Sequence, residues 1–340
     1  RYFSGSPQVL LPLLTDAAQP RYVDLYASKK ISTQPLTTAS IAALLELSMG
    51  LSAWKQHGGS RWALRCNPSS GNLHPTEAYV VVDGCDDTTS GVYHYLSRDH
   101  LLEQRCILTT DSPDRLLPVD TLILGLSSIH WREAWKYGER AFRYCQHDIG
   151  HAIAAVRYAA ALLGWQVKLL DHWGDDQTAT ILGLDRAQDF GRAEAEHADL
   201  MLQITAGSVA AELLSQDNLL TAARVGHWQG EANVLSEDHS HQWPLIDTVA
   251  DACHKAPTAA ETPWFSPELP EPLPSACTLT ADALIRQRRS AQAFDGKTGI
   301  SRDSFFRVLD MTLPRTNVVP WDVTGWSPYV HLLLFVHRVD

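Results

Sequence analysis

The chain has 340 residues and a formal net charge of -11, with 45% hydrophobic and 20% charged residues and 11 Trp, 10 Tyr and 8 Phe. That length holds one large domain plus part of another, and the composition excludes an intrinsically disordered chain. The acidic balance argues against nonspecific binding to nucleic acid or to anionic membrane surfaces and leaves only local basic pockets.

In chain order, residues 36–51, LTTASIAALLELSMGL, open with Thr and Ser capping candidates and place Ile41, Leu44, Leu45 and Leu47 near helical spacing. The spacing predicts a helix running toward the loop RCNPSSGNLHP, residues 65–75. A strand is predicted directly after it, over 77–83. The loop gathers Arg65, Ser69, Ser70, Asn72 and His74 around Gly71, with Pro68 and Pro75 fixing its ends. Such donors suit a phosphate or the polar edge of a heteroaromatic cofactor, and equally suit a plain turn into a strand. Residue types alone leave both readings open.

GVYHYLSRDHLLEQR reads as two short strands around a Ser-Arg-Asp-His turn, and 120–129 as the next strand. From Glu139 to Trp165, Cys145, Ile149, Ala152, Val156, Ala160 and Leu163 recur at intervals of three and four, the clearest helix in the chain. Its many alanines allow close approach of another helix, which predicts a long central helix at a domain or subunit interface. WQVKLLDH and ADLMLQITAG are further strands. Helices and strands intermingle without a strict βαβ repeat, so the fold class is α+β.

Residues 256–280 hold six prolines in 25 positions, the pattern of a stiff, extended linker. It divides a first domain over 1–255, with its core near 36–210, from an incomplete second unit over 281–340. That unit is predicted as a helix in DALIRQRRSAQAFDG, a second in SRDSFFRVLDMTL and a strand in HLLLFVHRV. Its first helix carries Arg286, Arg288, Arg289 and Ser290, either a phosphate clamp or a solvated helix end.

His147 and His151 stand one helical turn apart in HDIGH, but a zinc hydrolase wants Glu in place of Asp148 and a third ligand. No metal site is predicted there, and His239 and His241 read as a polar loop. The six cysteines form no CxxC pair, no run approaches the length of a membrane helix, and residues 1–20 lack the pattern of a signal peptide. A cytoplasmic protein without membrane partners is the resulting expectation.

The two donor clusters together resemble the flavin-dependent nitroreductase superfamily. Pro68, Ser69, Ser70 and Asn72 match its Pro-Ser-Ser-x-Asn loop, and Arg288, Arg289 and Ser290 match its Arg-x-Ser half. KYGERAFRYCQHDIGH, residues 136–151, is similar to the Lys-Tyr motif of the SagB-type dehydrogenases of azoline oxidation, which also carry an arginine before the loop, here Arg65. The resemblance covers 36–210 and, as a partial second copy, 281–340. The first copy has YASKKIS at 26–32 where the Arg-x-Ser half belongs, and Gln292 stands where the family often has a basic residue.

That resemblance implies an α+β fold with a mixed, mainly antiparallel sheet, and FMN held at the interface of a homodimer or of an intramolecular pseudo-dimer. It implies hydride transfer through the flavin in a ping-pong cycle. Arg65, Pro68, Ser69, Ser70, Asn72, Arg288, Arg289 and Ser290 would bind FMN, and Lys136 and Tyr137 would be catalytic, taking a proton as hydride leaves the substrate. A lysine base needs burial or a neighbouring cation such as Arg140. The implied partners are a small-molecule or peptide-azoline substrate and an NAD(P)H donor. The alternative is a degenerate scaffold of the same fold that binds a partner without flavin chemistry.

Overall fold

The structure, a computed structural model, describes residues 1–340 except 16–18, 27–30, 87, 110–114, 208–213, 240, 261–263 and 292. Most of YASKKIS and Gln292 therefore lie outside the described residues. Short strands β1 (Phe3–Ser4) and β2 (Gln8–Leu10) precede α1 (Thr38–Ser48), where the Thr37 hydroxyl caps the Ser40 N–H. A hairpin follows, β3 (Leu51–His57) and β4 (Ser60–Arg65), then β5 (Thr76–Val82), β6 (Gly91–Leu96), β7 (Leu101–Ile107) and β8 (Thr121–Ser128). Helices α2 (Trp131–Tyr137) and α3 (Ala141–Leu162) lead to β9 (Trp165–Leu169), α4 (Asp175–Leu182), α5 (Ala187–Phe190) and β10 (His197–Ala206). Then come α6 (Gln216–Val225), β11 (His227–Trp228), β12 (Glu231–Ala232), α7 (Pro244–Ala252), α8 (Ala281–Gln287) and α9 (Arg302–Asp310).

The main sheet has eight strands in the order β11-β7-β6-β5-β8-β10-β9, with β2 also on β7. Its strands pair antiparallel throughout. The expected α+β class and antiparallel sheet are what the chain forms.

Strand β5 shows why this sheet is central. All seven of its residues are buried. Alternation sends Ala78, Val80 and Val82 to a core shared with α1 and α3, and Tyr79 and Val81 to a core on the opposite face shared with α4 and α6. Helix α3 packs on α1, and its Ala152, Ala159 and Ala160 are fully buried in the core that the two helices share.

The segment after the prolines docks on the same core. Ala281 and Val323 join the α1–α3 cluster, and α8 touches α1, α3 and β3. Arg286 donates to Glu46 at 2.6 Å. Arg157 of α3 makes a two-pronged ion pair with Asp322, Nε to Oδ1 at 2.9 Å and Nη2 to Oδ2 at 2.8 Å. Among the described residues of 256–278 none is helical or in a strand.

Two differences from the sequence reading have physical causes. HLLLFVHRV forms no strand; Val339 alone bridges to Ile300, and residues 331–338 are exposed. Strand propensity cannot act without a neighbour to take the backbone hydrogen bonds. Conversely, the β3–β4 hairpin has no long apolar run to announce it: its short apolar pieces are broken by polar residues on either side of Gly58-Gly59, where Gly58 adopts φ +56°.

Candidate functional site

Hairpin β3–β4 delivers the chain to Arg65, whose Nη1 donates to the Thr76 carbonyl at 2.8 Å and closes the base of the 65–75 loop. Within the loop, Ser69 Oγ accepts the His74 N–H at 2.8 Å, and the Asn72 carboxamide donates to the Ala63 carbonyl at 2.8 Å. Asn72 Oδ1 and His74 Nε2 lie 3.0 Å apart. These bonds hold Asn72 and His74 at positive φ, 61° and 52°. Burial, then the charges of Arg65 and Arg132, push the His74 imidazole well below its ordinary pKa, so it is neutral.

Ser70 is fixed from behind. Its N–H and its hydroxyl both donate to Asp148 Oδ1, at 2.9 and 3.0 Å, and Asp148 on α3 is fully buried. Short bonds to a carboxylate are the strong kind.

The post-linker arginines reach the front of this loop. Arg288 Nη2 points at the Cys66 carbonyl at 3.5 Å, and Arg289 donates to the Arg286 and Arg288 carbonyls at 2.6 and 2.7 Å. Together with the loop they enclose a cavity of about 350 Å³. Arg65, Pro68, Ser69, Asn72, Arg288, Arg289 and Ser290 all line it. The structure thus brings both sequence clusters together within one chain. Ser70 does not line the cavity, because its polar atoms face Asp148.

The lining is electrically one-sided. Lys55, Arg65, Arg288 and Arg289 contribute to it and no carboxylate does, in a chain of net charge -11. Trp62 also lines the cavity. Asn67, which the motif reading passed over, is 1% exposed, yet neither Nδ2 nor Oδ1 has a hydrogen-bond partner among the described residues. His74 Nδ1 and Arg288 Nε also lack one. Buried polar groups are normally satisfied, so these atoms are ones that a bound group could satisfy. Burial pushes the Cys66 thiol up to about 11, which leaves it neutral and a poor nucleophile.

Lys136 and Tyr137 stand at the end of α2, on the far side of Gly71. Lys136 Nζ donates to the Gly71 carbonyl at 3.4 Å. A Cβ on Gly71 would overlap Tyr137 Oη and stand 2.8 Å from Lys136 Nζ, and Gly71 adopts φ +60°, so a larger residue there would have to displace both side chains and bear backbone strain. Neither residue lines the cavity, and Lys136 is exposed rather than buried. Arg140 sits 5.9 Å from the Tyr137 ring. His147 and His151 are exposed, and among the described residues no group of three His, Cys, Asp or Glu side chains is arranged to hold a metal.

No family model matches the chain. Among solved structures, one described as a putative nitroreductase from Anabaena variabilis superposes with a TM-score of 0.56 at 19% identity, over 90% of this chain and 63% of that one. The chain has a nitroreductase fold. Two curated proteins are similar in sequence to this nitroreductase-fold chain. The trifolitoxin-processing protein TfxB of Rhizobium leguminosarum bv. trifolii is 37% identical over 109 residues, 28% of this chain and 29% of that protein. A putative nitroreductase of Methanocaldococcus jannaschii is 22% identical over 161 residues, 45% of this chain and 78% of that protein. The chain thus matches under a third of the trifolitoxin-processing protein's length. Among the described residues no helix is long and apolar enough to cross a membrane.

Proposed function

We propose that this nitroreductase-fold chain is an FMN-dependent oxidoreductase of SagB-like type, with its single site assembled as an intramolecular pseudo-dimer. The observation that carries the reading is the cavity lined by the 65–75 loop and by Arg288, Arg289 and Ser290, with four cationic side chains and an unpaired buried carboxamide. An anionic phosphate suits Arg288 and Arg289. A flat heterocycle with an imide edge suits Asn67, whose carboxamide offers one donor face and one acceptor face side by side.

When bound, flavin supplies the hydride chemistry, accepting from one substrate and giving to another. The chain's own part is orientation and proton handling. Ser69 and Asn72 keep the loop in one shape, and Ser70 anchors it to Asp148. Gly71 lets Lys136 Nζ and Tyr137 Oη approach the loop, where they would take the proton that accompanies hydride loss. The match to the trifolitoxin-processing protein favours a peptide substrate over a nitro or quinone compound.

The purified protein tests this through its absorption spectrum and a titration with FMN. A yellow protein, or one that quenches FMN fluorescence with saturation, is expected. Asn67→Leu keeps the volume but removes both polar atoms, and should weaken FMN by about 1–2 kcal/mol, roughly tenfold. A colourless protein whose melting temperature ignores added FMN would support the partner-binding scaffold instead.

A further inference from the structure

Behind the loop lies a carboxyl group that the proposed chemistry does not use. Glu133 is 0% exposed, and neither of its carboxyl oxygens has a hydrogen-bond partner among the described residues. It sits in α2 three and four residues before Lys136 and Tyr137, a spacing that stacks the three along neighbouring positions of one helix face. The charged groups that act on it are Asp148 of α3 and Lys136 of its own helix, and it in turn acts on the Cys145 thiol of α3. Asp148 is the group that holds the Ser70 N–H and hydroxyl. Helix α2 packs on α3, so the buried carboxylate that anchors the loop and a second buried carboxyl without a partner among the described residues lie on two packed helices.

We propose that Glu133 is a positioning residue: as the neutral acid it fills the space beside Asp148 and leaves that carboxylate free to hold Ser70, whereas ionised it repels Asp148 and loosens the loop. Two carboxylates in a buried space cannot both stay charged at low cost. Burial first, then the Asp148 charge, push the Glu133 carboxyl up to about 8, with Lys136 opposing. The folded chain thus keeps a proton that the unfolded chain releases. Stability accordingly falls as pH rises from the ordinary carboxylate range to about 8 and levels off above it.

The inference rests on the proposed cofactor reading only for its consequence, so the test has an arm that needs no flavin. Hydrogen exchange of the Ser70 amide, corrected for the intrinsic rate, is measured from about pH 6 to about pH 9 in the wild type and in Glu133→Gln. Protection should drop severalfold over that range in the wild type and stay level in the variant. FMN affinity should follow, weakening about tenfold in the wild type and little in the variant. A role confined to packing would shift both proteins equally at every pH, and identical pH profiles would overturn the proposal. Should the variant not fold, the wild type decides: Ser70 protection that is level across the range is equally fatal. Failure to bind FMN at any pH would sink the cofactor reading while leaving the exchange result to judge Glu133.

Discussion

Replacing Arg288 and Arg289 together by alanine is expected to weaken FMN binding by about 3 kcal/mol, on the order of a hundredfold, while leaving the fold nearly as stable as before. The magnitude follows from charge-assisted hydrogen bonds of about 1.5–3 kcal/mol each, discounted because Arg289 is exposed to solvent and salt. The fold should tolerate the change because Arg289 bonds to backbone carbonyls alone, two at the end of α8 and that of Ser52 in β3, while the anchoring ion pair on that helix belongs to Arg286 and Glu46. Riboflavin is the informative comparison, since it shares the ring system and lacks the phosphate. The wild type should prefer FMN strongly, and the double variant should bind both alike. Retention of the preference would remove these arginines from the phosphate site. Single Arg→Lys changes should cost less but still be measurable, because ammonium lacks the planar fork that grips two oxygens.

Much of this architecture is legible in the sequence where one residue's burial is decided by its immediate neighbours. The continuous apolar run of β5 and the three-and-four spacing of α3 need no partner to be read, and both elements form where predicted. Legibility ends where an element depends on a distant surface. HLLLFVHRV has the composition of a strand and finds no edge to pair with, whereas α2 is short, carries two charged residues in its first turn, and is held by packing on α3. The candidate site divides the same way. The donors of the 65–75 loop can be counted in the sequence, but which of them are already bonded cannot. Ser70 and Asn72 turn out to hold the loop itself, and Asn67, adjacent to Pro68 in the same quoted stretch, keeps its polar atoms unpaired. Asp148 looked like the weak middle of a failed metal motif. Its burial against Ser70, 78 positions away in the chain, is a tertiary fact.

The second large effect concerns how the arginines are kept in place at all. Asp322→Ala is expected to destabilise the protein by about 3–5 kcal/mol, because it strands the Arg157 guanidinium, 5% exposed, without its carboxylate. The Trp165 carbonyl, 3.2 Å from Arg157 Nη1, would remain as a partner but carries no compensating charge. Chemical unfolding measures the loss, and it should change little with added salt, since buried pairs are poorly screened. The double replacement Arg157→Met with Asp322→Leu should recover most of the stability, because a packed apolar pair has no desolvation cost to offset. A loss under about 1 kcal/mol for Asp322→Ala would mean that water reaches the pair and that its contribution is that of a surface bridge. The pair also ties the post-linker segment to α3, the helix that carries Asp148. Both halves of the candidate cavity therefore hang on one element, and the single variant should lower FMN affinity even under conditions where it remains folded, whereas the apolar double variant should not.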